Sequence, residues 1–135
     1  MIVADASLIA FFSIASEQSA LAEAIYARDP IWAAPLVWRS EYLNTLALLG
    51  QHRRLGPDTA LLALRSAEEV VGDREYRVSS EKVLELAAQS KCGAYDCEYV
   101  ALARDLNVPL VTADKPVLRA FPKIAVSLEK FAKLK

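Results

Sequence analysis

The stretch GAYDCEYVALARDLNVPLVTADKPVL, residues 93–118, predicts a helix that runs into a buried strand, and it decides the class of the fold. Its first half repeats apolar or aromatic residues at i, i+4, i+7 and i+11, the spacing of one buried helix face. That face comprises Tyr95, Tyr99, Leu102 and Leu106. Residues 108–112 are mainly apolar or β-branched, with Pro109 near their start, as in a fully buried strand. Each element carries one notable carboxylate, Asp96 in the first turn of the helix and Asp114 just past the strand.

The rest of the chain continues this alternation of strands and helices. Further strands are predicted at residues 2–4, 31–34, 75–78 and, at an edge of the sheet, 124–126. Helices are predicted at residues 7–12, 17–28, 35–53, 59–71 and 80–91, after Pro116, and as a terminal amphipathic turn around Phe131. Pro35 opens the third of them, since proline suits the first turn of a helix. The alternation predicts an α/β fold with a central parallel sheet covered by helices on both faces.

Length and composition favour a single domain, residues 1–135. Hydrophobic residues make up 54% of the chain, enough for a sizeable core and too many for a disordered protein. The formal net charge is −1, so no overall positive field would attract nucleic acid. Any contact with nucleic acid must therefore be local.

The sequence is expected to belong to a soluble, cytoplasmic protein. Cys92 and Cys97 are its only cysteines, and two cysteines beside one helix are badly placed for a disulfide, which favours a reducing compartment. The apolar start lacks basic residues and is interrupted by Asp5, unlike a secretory signal. No stretch reaches the ~18 uninterrupted apolar residues of a membrane span.

Four acids occupy positions that could bring them to one crevice. Asp5 and Asp114 follow predicted strands, and ligands of open α/β sheets bind at the carboxyl ends of the strands. Asp96 stands at a helix start, and Glu41 interrupts an apolar helix face. That face comprises Trp38, Thr45, Leu48 and Leu49. Taken singly, each of the three aspartates could instead be a helix N-cap, and Glu41 could reach solvent past its neighbours.

Converging, half-buried carboxylates repel one another and must be neutralised by protons or by a cation. Mg²⁺ or Mn²⁺ is the simplest partner, because these ions take oxygen ligands and keep several waters. Three polar residues lie where they could orient the carboxylates, although ordinary backbone hydrogen bonds would also explain each of them. These are Ser7, Asn44 and Thr112. Candidates for holding a phosphate group, with solvated surface charge as the alternative, are Arg39, Lys91, Lys115 and Arg119.

The same segments resemble the PIN-domain family, close to the VapC-type toxins. The resemblance rests on IVADAS at 2–7, PLVWRSEYLN at 35–44, YDCEYVALA at 95–103 and LVTADK at 110–115, in matching order. It implies a three-layer α/β/α fold and a Mg²⁺- or Mn²⁺-dependent endoribonuclease, the toxin of a type II toxin–antitoxin pair. It also implies a homodimer inhibited by a co-encoded antitoxin. The metal-binding and catalytic residues that it implies are Asp5, Glu41, Asp96 and Asp114.

One feature departs from some members of that family, which carry a further acid near the fourth. Here Thr112 and Lys115 flank Asp114 instead, so the resemblance leaves open whether one or two metal ions bind.

Two of three alternative functions would require different residues. A phospho-receiver domain would need a second acid beside Asp5 and an aspartate after a middle strand, and residues 31–36 contain none. A haloacid dehalogenase-type phosphatase would need a second aspartate at the position of Ser7. A catalytically inactive PIN-like interaction module remains open, although all four acids are present.

Overall fold

The core of the protein is a five-stranded parallel sheet. The computed structural model describes residues 1–134, and its strands are β1 (Ile2–Ala4), β2 (Trp32–Pro35), β3 (Glu75–Tyr76), β4 (Leu110–Val111) and β5 (Ala125–Val126). Their order across the sheet is β3-β2-β1-β4-β5. The central strand β1 is fully buried, as expected for a strand covered on both faces.

Eight helices surround the sheet in the described residues. They are α1 (Ala6–Ser13), α2 (Ser19–Arg28), α3 (Trp38–Gln51), α4 (Pro57–Val71), α5 (Ser80–Ser90), α6 (Ala94–Leu106), α7 (Lys115–Ala120) and α8 (Leu128–Ala132). Helix α6 packs against β1, β2 and β4, and α5 packs against α6. Helix α1 contacts α2, α3 and α4, and α2 contacts α8. This arrangement confirms the predicted three-layer α/β/α fold.

The strand order defines where a ligand site is expected. Strands β2 and β3 lie on one side of β1, and β4 and β5 lie on its other side. The carboxyl ends of β1 and β4 therefore meet at the point where the order reverses, and crevices of open α/β sheets form there. Phospho-receiver domains have the order 2-1-3-4-5 instead, so the phospho-receiver alternative is wrong.

Pro35 ends β2, whereas the sequence predicted that it opens helix α3. The N–H groups of Ala34 and Leu36 donate to Arg74 and Tyr76 on the β3 side of the strand. Because successive N–H groups of a strand point to opposite sides, the missing N–H of Pro35 falls on the side away from β3. The proline therefore costs this pair of strands no hydrogen bond.

The buried faces of two helices differ from the predicted ones. Helix α3 buries Trp38, Tyr42 and Leu46, whereas Leu48 is 46% exposed. Helix α6 buries Tyr99 and Leu102 as predicted, but Tyr95 is 64% exposed. Tyr95 stands in the first turn of α6 and leaves its ring at the surface, whereas Tyr99, one turn further along, is buried.

Cys92 and Cys97 are both free thiols. Across residues 1–134, every helix is too short or too polar to cross a bilayer.

Candidate functional site

The four acids singled out from the sequence line one cavity at the carboxyl edge of the sheet. Its volume is about 300 Å³, and its walls include Asp5, Glu41, Asp96 and Asp114. We call it the acidic cavity. It opens where β1 and β4 end side by side, since Ala4 pairs with Val111. Residues more than 100 positions apart in sequence thus meet at the predicted crevice.

Asp5 is held by three hydrogen bonds. It is the N-cap of α1, and its Oδ1 accepts from Leu8 N at 2.9 Å and from Ser7 Oγ at 2.6 Å. Thr112 Oγ1 donates to its Oδ2. The carboxylate therefore has a defined orientation before any ligand arrives, and two of its three donors are side chains that the sequence had pointed to.

Asp114 is held more loosely, with one carboxylate oxygen engaged. It is the N-cap of α7, and its Oδ1 accepts from Val117 N at 3.0 Å. Its own N–H donates to Thr112 Oγ1 at 3.0 Å, so Thr112 links Asp114 to Asp5. The N-cap alternative is thus correct for Asp5 and Asp114, but capping leaves both side chains on the wall of the cavity.

Asp96 has no such structural role. The N-cap of α6 is Gly93, and Asp96 lies in the first turn beyond it. Within residues 1–134 its carboxylate accepts no hydrogen bond of the kind that Asp5 and Asp114 make. The N-cap alternative is therefore wrong for Asp96, and both of its oxygens remain available at the cavity.

Glu41 is oriented by a residue that the sequence analysis assigned only to the hydrophobic core. Tyr99 Oη donates to Glu41 Oε1 at 2.6 Å, and the tyrosine is almost fully buried at 3% exposure. Tyr99 also lines the acidic cavity. The available signal was its position three residues after Asp96, which places both on one side of the helix.

The charges in the cavity are coupled. Burial, together with the negative charges of Asp114, Glu41 and Asp5, raises the pKa of Asp96 from 3.8 to about 6. Burial is also the main cause that raises the pKa values of Asp5 and Glu41, against the hydrogen bonds that lower them. The fully ionised cavity is therefore unfavourable until a proton or a cation neutralises it.

The oxygen donors suit a hard divalent cation, although they do not form a finished cage. No group of three or more Asp, Glu, His or Cys side chains in the described part of the chain stands ready to hold a metal ion. Mg²⁺ keeps several waters and needs only one or two direct carboxylates, so an open cavity with four carboxylates fits its chemistry. The residues that could hold it are Asp5, Glu41, Asp96 and Asp114.

Asn44 lies apart from the other two predicted orienting residues. Ser7 and Thr112 contact Asp5 directly. Asn44 instead lines a neighbouring cavity, and the side chain that donates to the Glu41 carboxylate is Tyr99.

Arg39 is committed to ion pairs within the fold, unlike the other phosphate-binding candidates. Its guanidinium contacts Glu68 and Glu75, each at 2.8 Å, and lies 5.1 Å from the centre of the Trp38 ring. It thereby ties α3 to α4 and β3. Lys91, Lys115 and Arg119 are exposed.

We expect Tyr99→Phe to lower the metal affinity of the site roughly 10- to 100-fold, the usual effect of removing a residue that orients a ligand. The substitution keeps the buried ring and removes only the hydroxyl that fixes Glu41. The measurement is the rise in thermal unfolding temperature as the Mn²⁺ concentration is increased. A matched control is Tyr42→Phe, which removes a buried hydroxyl bonded to Ser13 instead. Equal Mn²⁺ dependence in the two variants would contradict this role.

Comparison with known proteins supports the fold. No family model matches the sequence. No curated protein sequence matches it either. Among solved structures, PAE2754 from Pyrobaculum aerophilum is 22% identical with a TM-score of 0.71, over 97% of this chain and 92% of that chain. A chain of a toxin–antitoxin complex from Klebsiella pneumoniae is 15% identical with a TM-score of 0.65, over 95% of this chain and 98% of that chain. At these identities the similarity establishes the shared fold alone.

Proposed function

We propose that the protein is a PIN-type, metal-dependent endoribonuclease and the toxin of a type II toxin–antitoxin pair. The observation that carries the proposal is the convergence of four carboxylates on one cavity at the reversal point of the sheet. The toxin role is supported by the resemblance in sequence and by the similar fold of a chain from a toxin–antitoxin complex.

The residues of the cavity divide the work. Mg²⁺ or Mn²⁺, held there by the carboxylates, would supply a nucleophilic water and neutralise charge on the leaving oxygen of a phosphodiester. Asp5 provides a rigid ligand because hydrogen bonds from Ser7, Leu8 and Thr112 fix its carboxylate. Tyr99 holds Glu41 in place. Asp96 keeps both oxygens free for the cation or its waters.

The charge balance explains why activity should require the cation. Without it the acidic cavity would repel an RNA phosphate, since its titratable walls are four carboxylates and the Tyr99 phenol. The exposed Lys115, next to Asp114, is the nearest lysine in sequence that could contact a flanking phosphate.

The proposal is tested by incubating the purified protein with total RNA in Mg²⁺, in Mn²⁺ and in EDTA, beside single-stranded DNA as a second substrate. We expect internal cleavage of RNA with either metal and none in EDTA. Cleavage of equal extent in EDTA would sink the metal-dependent mechanism. No cleavage under any condition would favour the inactive interaction module.

Two protein partners belong to the same proposal, an antitoxin and a second copy of the chain. Exposed leucines on α3 and α4 provide apolar surface that such partners could cover. They are Leu43, Leu48, Leu61 and Leu62. A monomeric mass in light scattering at micromolar concentration would contradict the homodimer.

A further inference from the structure

A second cavity lies beside the acidic cavity and shares a wall with it. Its volume is about 620 Å³, within the range of small-molecule sites. The two cavities have Ala6, Ser7 and Glu41 in common. We call the second one the Tyr95 cavity, because Tyr95 is among the residues that line it. A substrate bound at the acidic cavity would therefore have a neighbouring space to enter.

Tyr95 presents an aromatic ring to solvent at this place. It precedes Asp96 directly and is 64% exposed, whereas Tyr99, one turn further along α6, is 3% exposed. A single exposed aromatic residue needs no explanation by itself. This one, however, lines a cavity that shares three wall residues with the cavity of the four acids. Its ring is thus available to a ligand and contributes little to the core.

The α3 wall of the Tyr95 cavity carries polar side chains. Ser40 and Asn44 stand one turn apart on α3, and both are exposed. Thr45, also on this wall, uses its hydroxyl on Glu41 O, but the Asn44 amide and the Ser40 hydroxyl make no hydrogen bond within residues 1–134. An asparagine amide offers both donors and an acceptor, the combination that can read the edge of a nucleobase.

The charge of the lining decides which part of a nucleotide would fit. Among the residues that line the Tyr95 cavity, Glu41 alone carries a charge, and it is negative. A phosphate group would be repelled there, whereas a neutral base would not. An aromatic ring, the apolar Val37 and amide and hydroxyl groups line this cavity together, and such groups are the usual surroundings of a base that has left its stack.

We propose that the Tyr95 cavity binds an unpaired base of single-stranded RNA, next to the phosphodiester cut at the acidic cavity. The base stacks on Tyr95, and Asn44 and Ser40 contact its edge. This inference rests on the proposed function, because it supposes that RNA is the substrate. It adds that one base flanking the cut bond contributes to the enzyme's choice of site.

The experiment compares cleavage of a short single-stranded RNA with that of the same RNA lacking the base on either side of the cut bond. Wild type should lose roughly tenfold in kcat/KM when one of these two bases is absent, in line with the usual contribution of one stacked base. Tyr95→Ala should lower kcat/KM on the intact RNA by about the same factor. On the abasic RNA its kcat/KM should be close to that of wild type, because the base that stacks on Tyr95 is already missing. Tyr95→Phe, which keeps the ring, should behave like wild type.

Two further variants sharpen the result. Ile31→Ala shortens a similarly exposed side chain that precedes β2, at the opposite edge of the sheet, and should leave kcat/KM unchanged. Asn44→Ala should change the relative cleavage of RNAs that differ only at the stacked base.

The outcomes separate this inference from the proposed function. Absence of metal-dependent cleavage by wild type would overturn the proposed function and the base site with it. Cleavage that falls by the same factor on intact and abasic RNA in Tyr95→Ala would overturn the base site alone. Unchanged cleavage by Tyr95→Ala would also overturn it, and would indicate that Tyr95 serves a protein partner.

Discussion

Asp5→Asn should abolish metal-dependent RNA cleavage, with a loss of at least about 100-fold, while the protein stays folded. Removing a residue that merely orients a metal ligand already costs roughly 10- to 100-fold, so loss of a ligating charge should cost more. The substitution keeps an oxygen that can accept from Leu8 N, so the cap of α1 survives. The measurement is the rate of RNA cleavage in Mg²⁺ and Mn²⁺, with circular dichroism to verify folding.

Asp73→Asn is the matched control for this experiment. It makes the same chemical change at an exposed residue just before β3, at the opposite edge of the sheet. Its cleavage rate should equal that of wild type. Asp5 also accepts a hydrogen bond from Thr112, so Asp5→Asn could affect folding. Asp96→Asn is therefore tested as a second variant, because Asp96 is not the N-cap of its helix. Full activity in both Asp5→Asn and Asp96→Asn would contradict the proposed function.

Asp96→Asn should stabilise the metal-free protein near neutral pH. The folded state raises the pKa of Asp96 from 3.8 to about 6, through burial and three neighbouring carboxylates. A group raised in this way contributes stability that is fully present below about pH 4 and lost as the pH rises through about 6. Once solvent screening of this partly exposed group is allowed for, the mutant should gain about 1–2 kcal/mol at pH 7.

With bound metal, wild type should be more stable than Asp96→Asn, the reverse of the order without metal. A cation that binds only the folded wild type, at a hundredfold excess over its Kd, should stabilise it by about 2–3 kcal/mol. Asp96→Asn should lose most of that gain. The measurement is thermal unfolding of both proteins at pH 5 and pH 7, each with EDTA and with Mn²⁺, beside the Asp73→Asn control. A metal-free mutant that is less stable than wild type at pH 7 and responds fully to Mn²⁺ would show that Asp96 is no ligand.

Much of the fold was predictable because its signals are local. The apolar runs that become β1 and β4, and the acids that follow them, are short segments whose meaning does not depend on distant residues. Once strands alternate with helices, parallel pairing follows, and the carboxyl ends of the strands lie at one end of the sheet. Asp5 and Asp114 could therefore be assigned to the same end of the sheet from the sequence, whereas the adjacency of β1 and β4 came from the structure.

Local patterns were less reliable at the ends of helices and strands. The helical period assigned Tyr95 and Tyr99 to one buried face, yet Tyr99 is buried and Tyr95, in the first turn of α6, is exposed. Proline suits a helix start as well as a strand end, and only the hydrogen bonds to β3 decide that Pro35 belongs to β2. Periodicity describes the regular part of an element and not the place where its partner ends.

By itself, then, the sequence determined the α/β class, the order of the elements and the four acids at their strand and helix ends. The tertiary structure decided which acid each orienting group contacts, and it added Tyr99 to Ser7 and Thr112, which the sequence had indicated. Tyr99 donates to Glu41 across 58 residues, and Thr112 to Asp5 across 107. Such partners are set by packing between distant segments, and the raised pKa of Asp96 depends on burial and on the charges of three acids from other parts of the chain. No local pattern encodes that proximity, because it exists only once the sheet has brought the strand ends together.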